Sequence, residues 1–159
     1  MRCAVRDKTT DDGAWLEAFL RAEWGGPIIV NRGVRHNLLE LPALIAERGG
    51  ERCGLLTYRI EAEAWQITTL NAVPPQHGTG TQLIDALARR AAEAGCRRLW
   101  LITTNDNIDA LRFYQRRGFA LVAVHARAVD EARRLKPGIP AVGNYGIPIR
   151  DELELERRP

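Results

Sequence analysis

The chain has little of several things that would narrow a function quickly. Its 159 residues include three cysteines, three histidines, one methionine and only 6% aromatic residues. Cys3, Cys53 and Cys96 form an odd, widely spaced set with no CxxC pair, which argues against a metal cage or a disulfide framework and fits a reducing cytoplasm. Cys53 and Cys96 lie in or beside apolar runs and read as inert core thiols. His36, His77 and His125 are scattered, so a Cys/His nucleophilic pair has little support. No stretch approaches the roughly 18 apolar residues of a membrane span, and the polar opening MRCAVRDKTTDDG is unlike a secretory leader. A soluble cytoplasmic protein without a membrane partner is expected. The net charge of +3 comes without a basic block interleaved with aromatics, so nucleic acid is not an expected partner. The mild positive excess suits attraction of an anionic cofactor.

What is present is ordinary for a globular protein: 45% hydrophobic and 27% charged residues, with 14 Gly and 8 Pro. A chain of this length buries roughly 70% of its unfolded surface around one core, so a single domain over residues 1–159 is expected. Repeats, low-complexity tracts and long linkers are lacking. A short strand near Arg2 to Arg6 leads to Thr10-Asp11-Asp12, a helix start, and then to Trp15, Leu16, Phe19, Leu20 and Trp24 at helical spacing. After an irregular stretch from Ile28 to Pro42, three runs joined by short turns predict antiparallel strands at Ala43 to Glu47, Arg52 to Ile60 and Ala64 to Val73. Leu83, Ile84, Leu87, Ala88 and Ala91 mark one face of a helix over Thr81 to Glu93. The strand Leu99 to Ile102, a helix Asn107 to Arg117 and a strand Phe119 to Val124 follow. The tail predicts a short helix Val129 to Leu135, a Pro/Gly-rich loop from Lys136 to Pro148, and a strand Glu152 to Glu156 with Leu153 and Leu155 on its buried face. The fold class is mixed α/β: a central, mostly antiparallel sheet whose second half is a β-α-β unit, flanked by helices.

Two segments carry chemistry. In NIDALRFYQRRGF, Asn107, Ala110 and Tyr114 fall along one helical face, and Gly118 ends the helix before Phe119. The other segment, Pro74-Pro75-Gln76-His77-Gly78-Thr79-Gly80-Thr81, joins a strand to a helix, where unpaired backbone N–H groups and the helix dipole favour an anion. Glycine at 78 and 80 lets the main chain approach a pyrophosphate and adopt positive φ. A Rossmann site would read Asp106 as its ribose ligand, but Leu83 stands where the third glycine of GxGxxG belongs, and only one crossover unit is present.

The run from Asn107 to Phe119 closely resembles the second signature segment of the GNAT acetyltransferase superfamily, and the similarity extends well over Arg52 to Val124. Residues Thr69 to Ala72 and the closing GIPIRDELELE look like a bacterial branch of unassigned substrate. The resemblance implies acetyl-CoA as co-substrate, no metal, and acetyl transfer to an amine of a small molecule or protein, with homodimers common in the family. It implies backbone contacts from Leu70, Asn71, Ala72 and Val73 to the pantetheine and thioester, and pyrophosphate contacts from Gly78, Thr79, Gly80 and Thr81. Pro75 stands where the family usually carries Arg or Gln, so Gln76 is read as a displaced equivalent. Asn107 is expected to cap its helix and touch the cofactor, with Ala110 beside it and Asn105 at the preceding strand end as a further contact. Tyr114 is the expected catalytic residue, hydrogen-bonding the departing thiolate; the plain alternative is a core tyrosine beside Phe113. Reference values near 10 for tyrosine and 8.5 for a thiol make complete proton donation uphill by roughly 1.5 units.

An amine acceptor must lose a proton before it attacks. Gln66 occupies a position where many family members place a glutamate, which leaves Glu63, His36 or a chain of waters as bases. Trp24, Arg32, Arg35 and His36 are read by analogy as acceptor-side residues. The rival reading is a non-catalytic acyl-CoA-binding regulatory module.

Overall fold

The computed structural model describes residues 2–75 and 77–159. In chain order its elements are β1 (Ala4–Asp7), α1 (Gly13–Trp24), β2 (Ile28–Asn31), β3 (Val34–Asn37), β4 (Ala43–Arg48), β5 (Glu51–Glu61), β6 (Ala64–Ala72), α2 (Thr79–Glu93), β7 (Arg98–Thr104), α3 (Ile108–Gln115), β8 (Ala120–His125), α4 (Ala128–Leu135) and β9 (Glu152–Arg157). This is the expected mixed α/β fold, its strands mostly antiparallel and flanked by helices. The chain divides into two compact units, the first built from residues up to Pro27, Asn37–Leu99 and Arg158–Pro159, the second from Ile28–His36 and Trp100–Arg157.

In the first unit the strand order is β1-β4-β5-β6, with every neighbouring pair antiparallel. The β4–β5 turn needs left-handed backbone at Gly49 and Gly50, which glycine adopts without a Cβ clash. Leu44, Ile45, Leu55 and Leu56 are fully buried, as are Leu16 and Leu20 of α1 and Leu83, Ile84, Leu87 and Ala91 of α2. Each such leucine contributes about 1.5–3 kcal/mol by leaving water. Two register shifts interrupt the ladders. Cys53 is the extra residue between the pairs Glu47↔Arg52 and Ala46↔Gly54, and Thr68 is the extra residue between Tyr58↔Ile67 and Thr57↔Thr69. The Thr57 hydroxyl bridges those of Thr68 and Thr69 at 2.7 and 2.6 Å, so the buried polar groups beside the second bulge are partnered.

The start of α1 is fixed by Asp12, which is completely buried. Its carboxylate accepts from Arg6 Nη1 and Nη2 (2.7 and 2.8 Å), from Arg52 Nε (2.9 Å) and from the Thr9 amide (2.8 Å). Hydrogen bonding from Arg6 outweighs burial and holds this carboxyl below the usual carboxylate range. A depressed folded-state pKa contributes stability that is present above the unfolded value of about 4 and is lost as pH falls through the folded one. Asp12→Asn is expected to destabilise the protein by about 2–4 kcal/mol at pH 7. The deficit should shrink toward pH 2 in denaturant titrations, whereas a pH-independent deficit would assign the effect to packing.

In the second unit the strand order is β7-β9-β8, with β8 and β9 antiparallel. The stretch expected to be irregular from Ile28 holds a hairpin, β2 and β3, joined by Arg32 and Gly33 at φ of 48° and 70°. That two-residue turn matches strand twist, but four-residue strands ending in Arg, His and Asn carry too little apolar periodicity to announce themselves. Leu153 and Leu155 are buried as expected. Glu152 was expected on the solvent side and is also buried, its carboxylate accepting the Arg32 N–H at 2.9 Å.

Candidate functional site

The first unit places the Gly78–Thr81 turn directly at the start of α2. Gly78 is the N-cap residue at φ 76°, no side chain caps the helix, and no acidic residue stands in its first turn. Helix-start N–H groups and an uncompensated dipole are what an anionic oxygen needs. Thr79 contributes only main chain to such a site: its side chain is buried, its hydroxyl 3.1 Å from Arg48 Nη2 and 3.4 Å from Cys3 Sγ. Arg48 also donates to the His77 carbonyl at 3.4 Å, tying the turn to β4. Gly54 makes this docking feasible, because a Cβ there would stand 2.6 Å from Thr79 Cγ2. Gln76 lies outside the described residues.

Leu70, Asn71 and Ala72 end β6, paired with Leu56, Leu55 and Gly54, and the exposed Val73 donates its N–H to the Cys53 carbonyl at 2.9 Å. β6 bulges at Thr68, just before these residues. Asn71 uses its side chain as well: the Trp24 indole donates to its Oδ1 at 2.7 Å, and its amide donates to Glu23 Oε2 at 3.3 Å. The last turn of α1 therefore brings a carboxylate to the end of β6. Sequence reasoning named Trp24 and missed Glu23, because 48 residues separate it from Asn71 and no local pattern marks the contact.

Glu63 does not meet the requirements of a base near that segment. It lies eight residues from Asn71 along an extended strand, roughly 26 Å at the usual rise, and its carbonyl accepts the N–H groups of Arg97 and Arg98. Gln66 is buried on β6.

The second unit contains Asn105, Asn107, Ala110 and Tyr114. Asn107 is the N-cap of α3, with its Oδ1 accepting the Ala110 N–H at 3.2 Å. Asn105 has its amide committed to the fold: Nδ2 donates to the Pro148 carbonyl, and Oδ1 accepts from the N–H groups of Arg150 and Asp151. Asp106, the ribose ligand of the rejected Rossmann reading, accepts from the Thr104 hydroxyl and the Asn144 N–H. Gly143 packs so tightly on that carboxylate that a Cβ would collide with it, and Tyr145 donates to both Asp109 oxygens at 2.8 and 2.9 Å. These contacts pin the Pro/Gly-rich loop to the start of α3.

Tyr114 is 8% exposed and meets Phe113 and Phe119 edge-on at 5.2 and 5.4 Å. Its hydroxyl has no hydrogen-bond partner among the described residues. Burial raises its pKa well above the ordinary tyrosine value, against a smaller opposing effect of Arg117. The phenol is thus a neutral donor throughout the physiological range, held by an aromatic cluster.

The family model "Acetyltransferase (GNAT) family" matches residues 12–119. Two uncharacterised Bacillus subtilis (strain 168) proteins are similar over most of the chain: YdhI, 41% identical over 140 residues (87% of each chain), and YxbD, 39% identical over 142 residues (88% of this chain and 89% of the other). Among solved structures, a Bacillus subtilis acetyltransferase in complex with CoA superimposes with a TM-score of 0.70 at 19% identity, covering 99% of this chain and 98% of that one. A GNAT acetyltransferase from Elizabethkingia anophelis with acetyl-CoA bound gives 0.69 at 16% identity, covering 99% of both chains. Arabidopsis thaliana Naa50 with the bisubstrate analogue CoA-Ac-MVNAL gives 0.71 at 15% identity, again over 99% of both. The fold and the signature helix define an acyltransferase, and the chain belongs to the GNAT acetyltransferase family. Among the described residues, no group of His, Cys, Asp and Glu is arranged to hold a metal, and no helix is long and apolar enough to cross a membrane.

Proposed function

We propose that this single-domain enzyme transfers an acetyl group from acetyl-CoA directly to an amine, in the cytoplasm. The observation that carries the reading is the start of α2: an anion-ready first turn, opened by a left-handed glycine and free of acidic side chains, that follows the bulged end of β6. In this reading the main chain of Gly78, Thr79, Gly80 and Thr81 binds the pyrophosphate, and Gln76 adds a side-chain contact. Main-chain groups of Leu70, Asn71, Ala72 and Val73 pair with the pantetheine and polarise the thioester carbonyl. Asn107 and Ala110 present the first turn of α3 to the cofactor, and Asn105 holds that region through its clamp on residues 148–151. When bound, acetyl-CoA supplies an activated acyl carbon and a thiolate leaving group.

Glu23 is the base this structure favours. Its carboxylate, held by Asn71, attracts an ammonium acceptor and takes a proton from it before the free amine attacks the carbonyl carbon. As the C–S bond breaks, the Tyr114 phenol hydrogen-bonds the sulfur. Its raised pKa makes it a donor that keeps its proton, and solvent protonates the thiolate.

Release of free thiol from acetyl-CoA, measured across a library of small amines and peptide N-termini, tests the proposal. At least one acceptor should be turned over above the hydrolytic background, and Glu23→Gln should lower kcat for it by about 10²-fold or more, with the loss largest at low pH. A complete lack of transfer to any amine would favour the non-catalytic CoA-binding module.

A further inference from the structure

The cysteines are arranged for chemistry that their spacing concealed. Cys3 Sγ stands 3.5 Å from Cys53 Sγ, although 50 residues separate them, because β1 and β5 flank β4 and both thiols lie under the start of α2. Cys53 is the bulged residue of β5, and Cys3 precedes β1, its N–H donating to Gln82 Oε1 at 2.8 Å. Arg48 Nη2 donates to Cys3 Sγ at 3.3 Å, and the Thr79 hydroxyl is 3.4 Å from the same sulfur. We propose that Cys3 and Cys53 are a reversible dithiol/disulfide pair at the base of α2, with Cys3 the attacking thiol and Cys53 the resolving one.

The division of roles follows from the surroundings. Partial burial works to raise the Cys3 thiol, but hydrogen bonds from Thr79, Cys53 and Arg48 together outweigh it and leave its pKa below the ordinary thiol value. Burial and the neighbouring Cys3 push Cys53 the other way. Access also differs, since Cys53 is buried while Cys3 opens onto a groove of about 670 Å³ lined by Arg2, Arg89, Arg90, Asp85 and Glu93. The oxidant is a low-molecular-weight disulfide. The Cys3 thiolate attacks one of its sulfurs, forming a mixed disulfide and releasing one thiolate. Cys53 then loses its proton to solvent and attacks Cys3 Sγ, releasing the second thiolate. Two protein thiols are oxidised and one small disulfide is reduced to two thiols. Closing the sulfurs from 3.5 Å to the bonded distance of about 2.05 Å takes roughly 1.5 Å of movement.

The pair also communicates with the turn. A Cys3 thiolate sits beside Arg48 and Thr79, the groups that dock the first turn of α2, so its negative charge opposes a second anion there. At a pH that ionises Cys3, oxidation removes that charge and should tighten CoA binding about threefold, the scale of one unit charge acting over several ångströms through water. This second consequence rests on the proposed pyrophosphate role of the turn; disulfide formation does not.

The test is incubation of the full chain with glutathione disulfide, followed by alkylation under denaturing conditions and peptide mapping. A Cys3–Cys53 crosslink with Cys96 alkylated, a trapped glutathione adduct on Cys3 in Cys53→Ser, and no crosslink in Cys3→Ser are the expected results. Recovery of both Cys3 and Cys53 as alkylated thiols, in a protein that melts like the untreated one, would overturn the proposal. A crosslink that forms while CoA affinity stays unchanged in calorimetry would instead overturn only the link to the turn.

Discussion

Replacing Gly80 with aspartate is expected to weaken CoA binding by about 100-fold or more without lowering the melting temperature. The two effects separate because the same side chain acts differently on a bare helix end and on an occupied one. Gly80 is the second residue of α2, whose first turn has no acidic group. A carboxylate there complements the helix dipole by about 0.3–1 kcal/mol, and replacing glycine in a helix recovers a further fraction of a kcal/mol. Against a pyrophosphate about 5 Å away, one negative charge at an effective dielectric near 20 costs about 3 kcal/mol. Calorimetric CoA titration beside a thermal scan gives both readouts. Wild-type affinity in a folded variant would remove pyrophosphate from this turn, and a Gly80→Ala control separates added bulk from added charge.

Tyr114→Phe should lower kcat about 10- to 100-fold while leaving the KM for acetyl-CoA near its original value, since a hydrogen bond to a charged group contributes about 1.5–3 kcal/mol. Stability at neutral pH should hardly change. The ring keeps its contacts with Phe113 and Phe119, and the hydroxyl satisfies no described partner whose loss would leave a buried group stranded. At high pH the variant should be the more resistant protein. A phenol whose folded-state pKa is raised contributes stability that is fully present below the unfolded value of about 10 and is lost as pH rises through the folded one. Phenylalanine has no proton to lose, so its alkaline unfolding midpoint should lie higher. Unchanged turnover across a full pH profile would leave Tyr114 as a packing residue only.

How much of this was legible beforehand depended on distance along the chain. The helix carrying Asn107 and Tyr114 could be read because its cap, its apolar face and the glycine that ends it lie within a dozen residues. The same holds for the α2 turn and for the hairpins β4–β5 and β5–β6, where turn chemistry and alternation agree. Glu23 with Asn71, Asp12 with Arg6 and Arg52, Asp106 with Gly143, and Cys3 with Cys53 could not be read this way. Each depends on strand register or on which helix end abuts which strand, and nothing local encodes the partner. The β2–β3 hairpin was hidden for another reason: its strands are too short for periodicity to rise above its polar residues.

The single extra residue at Thr68 makes the end of β6 a matter of counting. Strand side chains alternate between faces, so an odd insertion inverts every residue beyond it. Ile67 pairs with Tyr58 on one side of the ladder and Thr69 with Thr57 on the other, although their numbers share a parity. Asn71 inherits that inversion, and this is why it faces Trp24 and Glu23. Any substitution at position 68 preserves the count. Loss of that one residue would make Ile67 and Thr69 consecutive partners of Tyr58 and Thr57, removing the bulge while keeping Asn71 opposite Leu55; losing a paired residue between position 68 and Asn71 is what would turn Asn71 away from the carboxylate of α1.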